Sequence, residues 1–136
     1  TRITDELTGA SWLPMGYVDD MASAYAAADL MVARSGAGTV VETATVGLPT
    51  IYVPLPHGNG EQARNATSAV DAGAGVVVAN ADLDVERLLA ETARIHDADV
   101  LAQMSAAGRG LMPAHAAEEM AVRVISAATS IDPTIG

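Results

Sequence analysis

"VARSGAGTVVETATVGLPTIYVPLPHGNGEQARNA", residues 32–66, holds two short apolar runs, each followed by a segment of helical period. The first run, Leu30–Ala33, ends at Arg34-Ser35-Gly36. The second, Thr50–Val53, ends in a loop carrying Pro54, Pro56, His57, Gly58 and Asn59 and opening onto Gln62. Between them Gly36–Val46 reads as a helix closed by Gly47, the residue type that most easily takes the left-handed turn after a helix. Runs that are continuously apolar rather than alternating suit parallel strands covered on both faces. A strand–helix–strand–helix order is the signature of βαβ units around a parallel sheet.

Working outward, Trp12–Val18 is predicted as a strand, with Asp19 and Asp20 as N-cap candidates for a helix over Met21–Ala28. Asn59 is predicted to cap the helix that runs to about Asp71, with Gln62 in the capping-box position. The Gly73–Gly75 cluster stops that helix, and Gly75–Ala79 is the last predicted strand. Helices alone follow. Val85, Leu88, Leu89, Thr92 and Ile95 share one face of the first, and Val100, Leu101 and Met104 mark a second. Ala117, Met120, Ala121, Val124, Ile125 and Ala128 repeat at helical spacing in a third, beyond Pro113. The fold class is α/β: a parallel sheet with helices on both faces and a helical C-terminal cap. Residues 1–129 are read as a partial ligand-binding domain and residues 130–136 as a tail.

Composition narrows the function. The chain has 136 residues, enough to bury a core. Its formal charge of −10 opposes a nucleic-acid surface. With no Phe and one Trp it offers no stacking platform for bases of a single strand. No Cys is present, so neither a disulfide framework nor a thiolate metal site can form. No 18-residue apolar run reads as a membrane-spanning helix.

In parallel α/β sheets ligands bind at the carboxyl ends of the strands, and here those ends carry the polar and small residues. In Arg34-Ser35-Gly36-Ala37-Gly38-Thr39, small side chains let a ligand approach the backbone of a helix N-terminus, whose free N–H groups suit phosphate. Ser35 and Thr39 add hydroxyls, and Glu42 can accept from two vicinal hydroxyls such as those of a ribose. The competing reading makes Ser35 an N-cap and the glycines packing residues. Gln62, donor and acceptor at once, suits a sugar hydroxyl. The competing reading leaves Asn59 and Gln62 as caps of their own helix. His57 is a possible contact to a ligand or a neighbouring domain. Neither dinucleotide G-x-G-x-x-G nor phosphate-loop G-x-x-x-x-G-K-[ST] is present. Asp97-Ala98-Asp99 has the form of a cation-binding pair but reads better as an N-cap, and no His pair has metal spacing.

"YVDDMASAYAAADLMVARSGAGTVVETATVGLPTIYVPLPHGNGEQARNA", residues 17–66, resembles the donor-binding domain of the MurG family of peptidoglycan glycosyltransferases. The resemblance is dense from Gly16 to Gly75 and continues more weakly to about Ala128. It rests on D-M-x-x-A-Y-x-x-A-D-L, R-S-G-A-x-T-V-x-E, G-L-P-x-I-x-V-P, then His and Q-x-x-N-A, taken together. It implies a GT-B enzyme, with two Rossmann-like domains around a cleft and no metal or other cofactor. It further implies inverting transfer of N-acetylglucosamine from UDP-N-acetylglucosamine to lipid-linked muramoyl-pentapeptide, at the cytoplasmic face of the plasma membrane.

By the same resemblance, backbone around Val18 meets the uracil, Ala37, Gly38 and Thr39 line the diphosphate and sugar, Glu42 binds the ribose and Gln62 reads the N-acetylglucosamine. The family often has Gln-Gln where this chain has Glu61-Gln62, and a larger residue at Gly38, so Glu61 stands only as a possible contact. The family's Gly-Gly-Ser loop and acceptor domain, with its general base, are missing from the sequence. The expectation is therefore a C-terminal portion of such an enzyme, beginning inside the donor domain and inactive alone. A non-catalytic nucleotide-sugar binder and a GT-B transferase for another UDP-sugar or acceptor stay as alternatives.

Overall fold

The computed structural model describes residues 2–111. Its centre is a three-stranded parallel sheet in the order β3-β4-β5, formed by β3 (Met31–Ala33), β4 (Thr50–Tyr52) and β5 (Gly75–Val77). Helix α1 (Met21–Ala27) precedes it, while α2 (Ala37–Val46) and α3 (Glu61–Asp71) make the two crossovers. A 3-10 turn at Asn80–Asp82 leads to α4 (Val85–Ile95) and α5 (Ala98–Leu111). The α/β parallel-sheet expectation holds. The predicted helix over residues 117–128 and the tail from Ser130 lie outside the described residues.

The central strand explains the continuous apolar signal. Thr50, Ile51 and Tyr52 are all buried, because successive side chains go to opposite faces and helices cover both. Tyr52 joins Val40, Ala66, Ala69 and Ala74 on one side, with Ala107 and Leu111 packed against them. Ile51 joins Val78, Ile95 and Met104 on the other. The Tyr52 hydroxyl lies 2.8 Å from the Thr43 hydroxyl, and Thr43 also donates to the Thr39 carbonyl at 2.9 Å. The buried ring therefore leaves no polar atom unpaired. Gly75 is required beneath it: a Cβ there would stand 2.6 Å from Tyr52 Cε2 and 2.7 Å from the Thr50 carbonyl oxygen.

Several boundaries differ from the sequence reading. In place of a strand over Trp12–Val18, only β2 (Ser11–Trp12) forms, paired antiparallel with β1 (Ile3–Thr4) in a separate hairpin. Pro14 removes a ladder donor, and Leu13, Met15 and Tyr17 remain exposed. Of the two acidic cap candidates, Asp20 is the cap. Its carboxylate accepts from the Ser23 hydroxyl at 2.6 Å and the Ser23 backbone N–H at 3.0 Å, which in that order hold its pKa below the ordinary carboxylate value.

Helix α3 is capped by Gly60 in the left-handed conformation (φ 70°), not by Asn59. Gln62 is thus the second helical residue and cannot close a capping box. On α4, Val85 and Leu89 are exposed while Leu88 and Ile95 pack inward, so the buried stripe is narrower than the apolar one. The Asp97 carboxylate accepts from the N–H groups of Asp99 and Val100 at 2.9 and 3.4 Å, an N-cap geometry for α5.

Candidate donor site at the strand ends

Three loops leave the carboxyl ends of β3, β4 and β5, and side chains near those ends tie them together. Arg34 Nη1 donates to the Val53 carbonyl at 3.1 Å and to Asn80 Oδ1 at 2.6 Å. Rooted just past β3, one guanidinium thereby touches the chain beyond β4 and β5. Ser35 is fully buried. Its hydroxyl donates to the Gln62 carbonyl at 2.7 Å, and Asn65 Nδ2 donates to the Ser35 carbonyl at 3.1 Å. This corrects the expectation that Ser35 offers an open hydroxyl or caps α2: its oxygen is spent fastening the first loop to α3, and Gly36 holds the cap position.

The N-terminus of α2 is consequently bare. Gly36 makes no side-chain cap bond, and the first intrahelical bond runs from Val40 N to the Gly36 carbonyl at 3.1 Å. The N–H groups of Ala37, Gly38 and Thr39 precede that bond and carry the positive end of the helix dipole. Ala37 and Gly38 are exposed and Thr39 is half-buried. A Cβ at Gly38 would meet nothing within 4 Å, so the small residue there leaves open space above the turn.

Gln62 is half-buried, and its Oε1 accepts from the Leu55 N–H at 3.0 Å. The side chain reaches back across the second loop instead of serving its own helix. Its Nε2 remains as a donor at the strand ends. His57 and Glu61 are exposed on the same loop and first turn.

Glu42 lies in the second turn of α2, exposed. Its Oε2 accepts from the Tyr25 hydroxyl at 2.7 Å. Loss of solvent first, and the neighbouring Glu42 carboxylate second, push the Tyr25 phenol up to about 12. The unfolded chain would release that proton near 10, so the folded chain binds more protons between about pH 10 and 12. Stability is expected to be intact below pH 10 and to fall across that interval. Denaturant midpoints measured against pH should fall less steeply in Tyr25→Phe.

Met21, Tyr25, Val41 and Glu42 also line an open cavity of ≈ 420 Å³ beside this pair. Val18, half-buried, lies three residues before α1. A second cavity of ≈ 510 Å³ adjoins the first through Tyr25 and Val46 and extends among Ala28, Pro49, Leu101 and Arg109 to the end of the sheet where residues lead into β3 and β4.

The strand-end group thus unites Ala37, Gly38, Thr39 and Gln62, with Glu42 one turn further along α2. Arg34 and Asn65 complete it, and Tyr25 on α1 meets it only through Glu42; none of the three has a role in the sequence analysis. Arg34, a lone cation at a strand end in an acidic chain, and Asn65, three residues after Gln62 on one helix face, both left a usable signal.

The model of the glycosyltransferase family 28 C-terminal domain matches residues 6–121. The chain belongs to that family. Among family 28 relatives, the UDP-N-acetylglucosamine–N-acetylmuramyl-(pentapeptide) pyrophosphoryl-undecaprenol N-acetylglucosamine transferase of Nocardioides sp. is 47% identical over 117 residues, covering 85% of this chain and 32% of that protein. The same-named transferase of Mycolicibacterium paratuberculosis is 55% identical over 97 residues, covering 71% and 24%. The crystal structure of Acinetobacter baumannii MurG superposes with a TM-score of 0.72 at 31% identity, covering 78% of this chain and 32% of that one. The resemblance stated from sequence therefore holds. The chain spans about a third of the length of the Nocardioides relative it matches.

Proposed function

We propose that this chain is the donor-binding part of an inverting glycosyltransferase that moves N-acetylglucosamine from UDP-N-acetylglucosamine to lipid-linked muramoyl-pentapeptide in peptidoglycan synthesis. The observation that carries it is the bare N-terminus of α2, fastened through Ser35 to the backbone of Gln62, within a family 28 chain. The family relatives whose names state this reaction supply the substrate identities.

In this reading the diphosphate lies over the N–H groups of Ala37, Gly38 and Thr39, and the helix dipole stabilises the charge that grows on departing UDP. Backbone around Val18 meets the uracil edge, and Glu42 takes the ribose hydroxyls. Gln62 Nε2 donates to a hydroxyl of the transferred sugar. Ser35 acts through the loop it holds. His57 and Glu61 lie where they can touch the ligand's outer edge. The acceptor and the general base belong to the remainder of a full-length enzyme, so catalysis requires that remainder. The full-length protein would work peripherally at the cytoplasmic face of the plasma membrane. Among the described residues no helix is long and apolar enough to cross one.

The test is a chimera in which residues 6–121 replace the matching segment of the Nocardioides transferase. Transfer of N-acetylglucosamine, but not N-acetylgalactosamine, to the lipid-linked acceptor is the expected result. Donor binding without transfer would favour a non-catalytic binder. Transfer of a different sugar would replace the substrate assignment.

A further inference from the structure

We infer that Tyr25 is a positioning residue that makes the site selective for a ribonucleotide over its 2′-deoxy counterpart. The inference rests on the donor-site reading above and adds to it a residue outside the strand-end loops. The Tyr25 hydroxyl donates to Glu42 Oε2 at 2.7 Å, a charge-assisted bond between residues 17 apart in sequence. Glu42 is exposed, and an exposed carboxylate on a flexible side chain ordinarily samples several rotamers. With Oε2 held the rotamers narrow, and Oε1 and the remaining lone pair of Oε2 are left as neighbouring acceptors on one carboxylate. That arrangement suits two hydroxyls on adjacent carbons.

The same bond has a second consequence. Among the described residues it is the hydrogen bond that joins α1 to α2, and the Val18–Asp20 segment leads directly into α1. Base-facing backbone and ribose-facing carboxylate are therefore referenced to each other through one phenol. The ring is suited to the task. It is half-buried, and a phenol, protonated throughout the physiological range, donates to the carboxylate there.

The experiment compares binding of UDP and 2′-deoxy-UDP to the 136-residue chain and to its Tyr25→Phe, Glu42→Gln and double variants. The wild-type chain is expected to prefer UDP by about tenfold, the worth of one charge-assisted hydrogen bond. Glu42→Gln should abolish most of that preference. Tyr25→Phe should reduce it at least about threefold by weakening UDP, which uses both positioned acceptors, more than 2′-deoxy-UDP, which uses one. In the Glu42→Gln background Tyr25→Phe should change nothing further.

A merely structural role for Tyr25 would weaken both nucleotides alike and preserve the ratio, which overturns this inference while leaving the donor site standing. A preference untouched by Glu42→Gln, or no UDP binding at all, overturns the ribose assignment and this inference with it. Should Tyr25→Phe unfold, the wild-type chain still decides the matter by NMR titration of its tyrosine rings. A Tyr25 phenol that titrates near 10, with or without UDP, means the bond to Glu42 does not form.

Discussion

Gly38→Asp is expected to lower the affinity of the chain for UDP-N-acetylglucosamine by about a hundredfold while leaving its melting temperature unchanged or slightly raised. The two effects have opposite signs for one physical reason. Gly38 is in the first turn of α2, where an acidic side chain meets the positive end of the dipole and stabilises the helix by roughly 0.3–1 kcal/mol. Replacing glycine inside a helix also removes a backbone-entropy cost. The structure has room, since a Cβ there meets nothing within 4 Å. The same carboxylate would stand where the diphosphate is proposed to lie. Like charges about 5 Å apart at a protein surface repel by about 3 kcal/mol, which corresponds to the stated loss of affinity. Calorimetric titration and thermal melting on the same sample check both halves. A stable variant that keeps its donor affinity would remove the diphosphate from α2.

The second large effect is on stability. Tyr52→Ala is expected to cost about 3–5 kcal/mol, a large share of the 5–15 kcal/mol typical of a domain. Tyr52 is 1% exposed in the central strand, and its ring fills the space above Gly75. Few neighbours can collapse into the void, because most of that cluster is alanine. Tyr52→Phe keeps the ring and loses only the hydroxyl. Thr43 retains its bond to the Thr39 carbonyl, so the cost should be about 1 kcal/mol. Urea unfolding of the two variants separates packing from hydrogen bonding. Equal losses would mean that the hydroxyl pair, not the ring, holds this side of the sheet.

These residues show what was legible beforehand. Strands β3, β4 and β5 and helices α2 and α3 could be read because each is a local pattern: a continuous apolar run, a helical period and a closing glycine such as Gly47 (φ 71°). The strand over Trp12–Val18 failed because pairing is not local. Ile3–Thr4 pairs with Ser11 and Trp12, so only Trp12 of the predicted run enters a ladder. The cap of α3 was displaced by one residue because Gly60 adopts a left-handed turn that composition does not reveal. Ser35 looks like a free ligand hydroxyl in the sequence because its partner, the Gln62 carbonyl, lies 27 residues away. Tyr25 carries no local signal for the same reason, its partner Glu42 lying 17 residues away. Residue types showed where a site would be, but only the folded chain shows which hydrogen-bonding groups are already occupied.

Gln62 is gripped twice, its carbonyl by Ser35 from the first loop and its carboxamide by Leu55 from the second. The separation between the helix end over which phosphate is proposed to sit and the Gln62 amide proposed to meet the sugar is therefore a built-in gauge, its side chain pinned to the backbone of the second loop and its carbonyl to the first. A molecule with the right groups at the wrong spacing could satisfy one end or the other, never both. In the proposed site such a gauge would reject by length before it inspects chemistry, and it would need no moving part to do so.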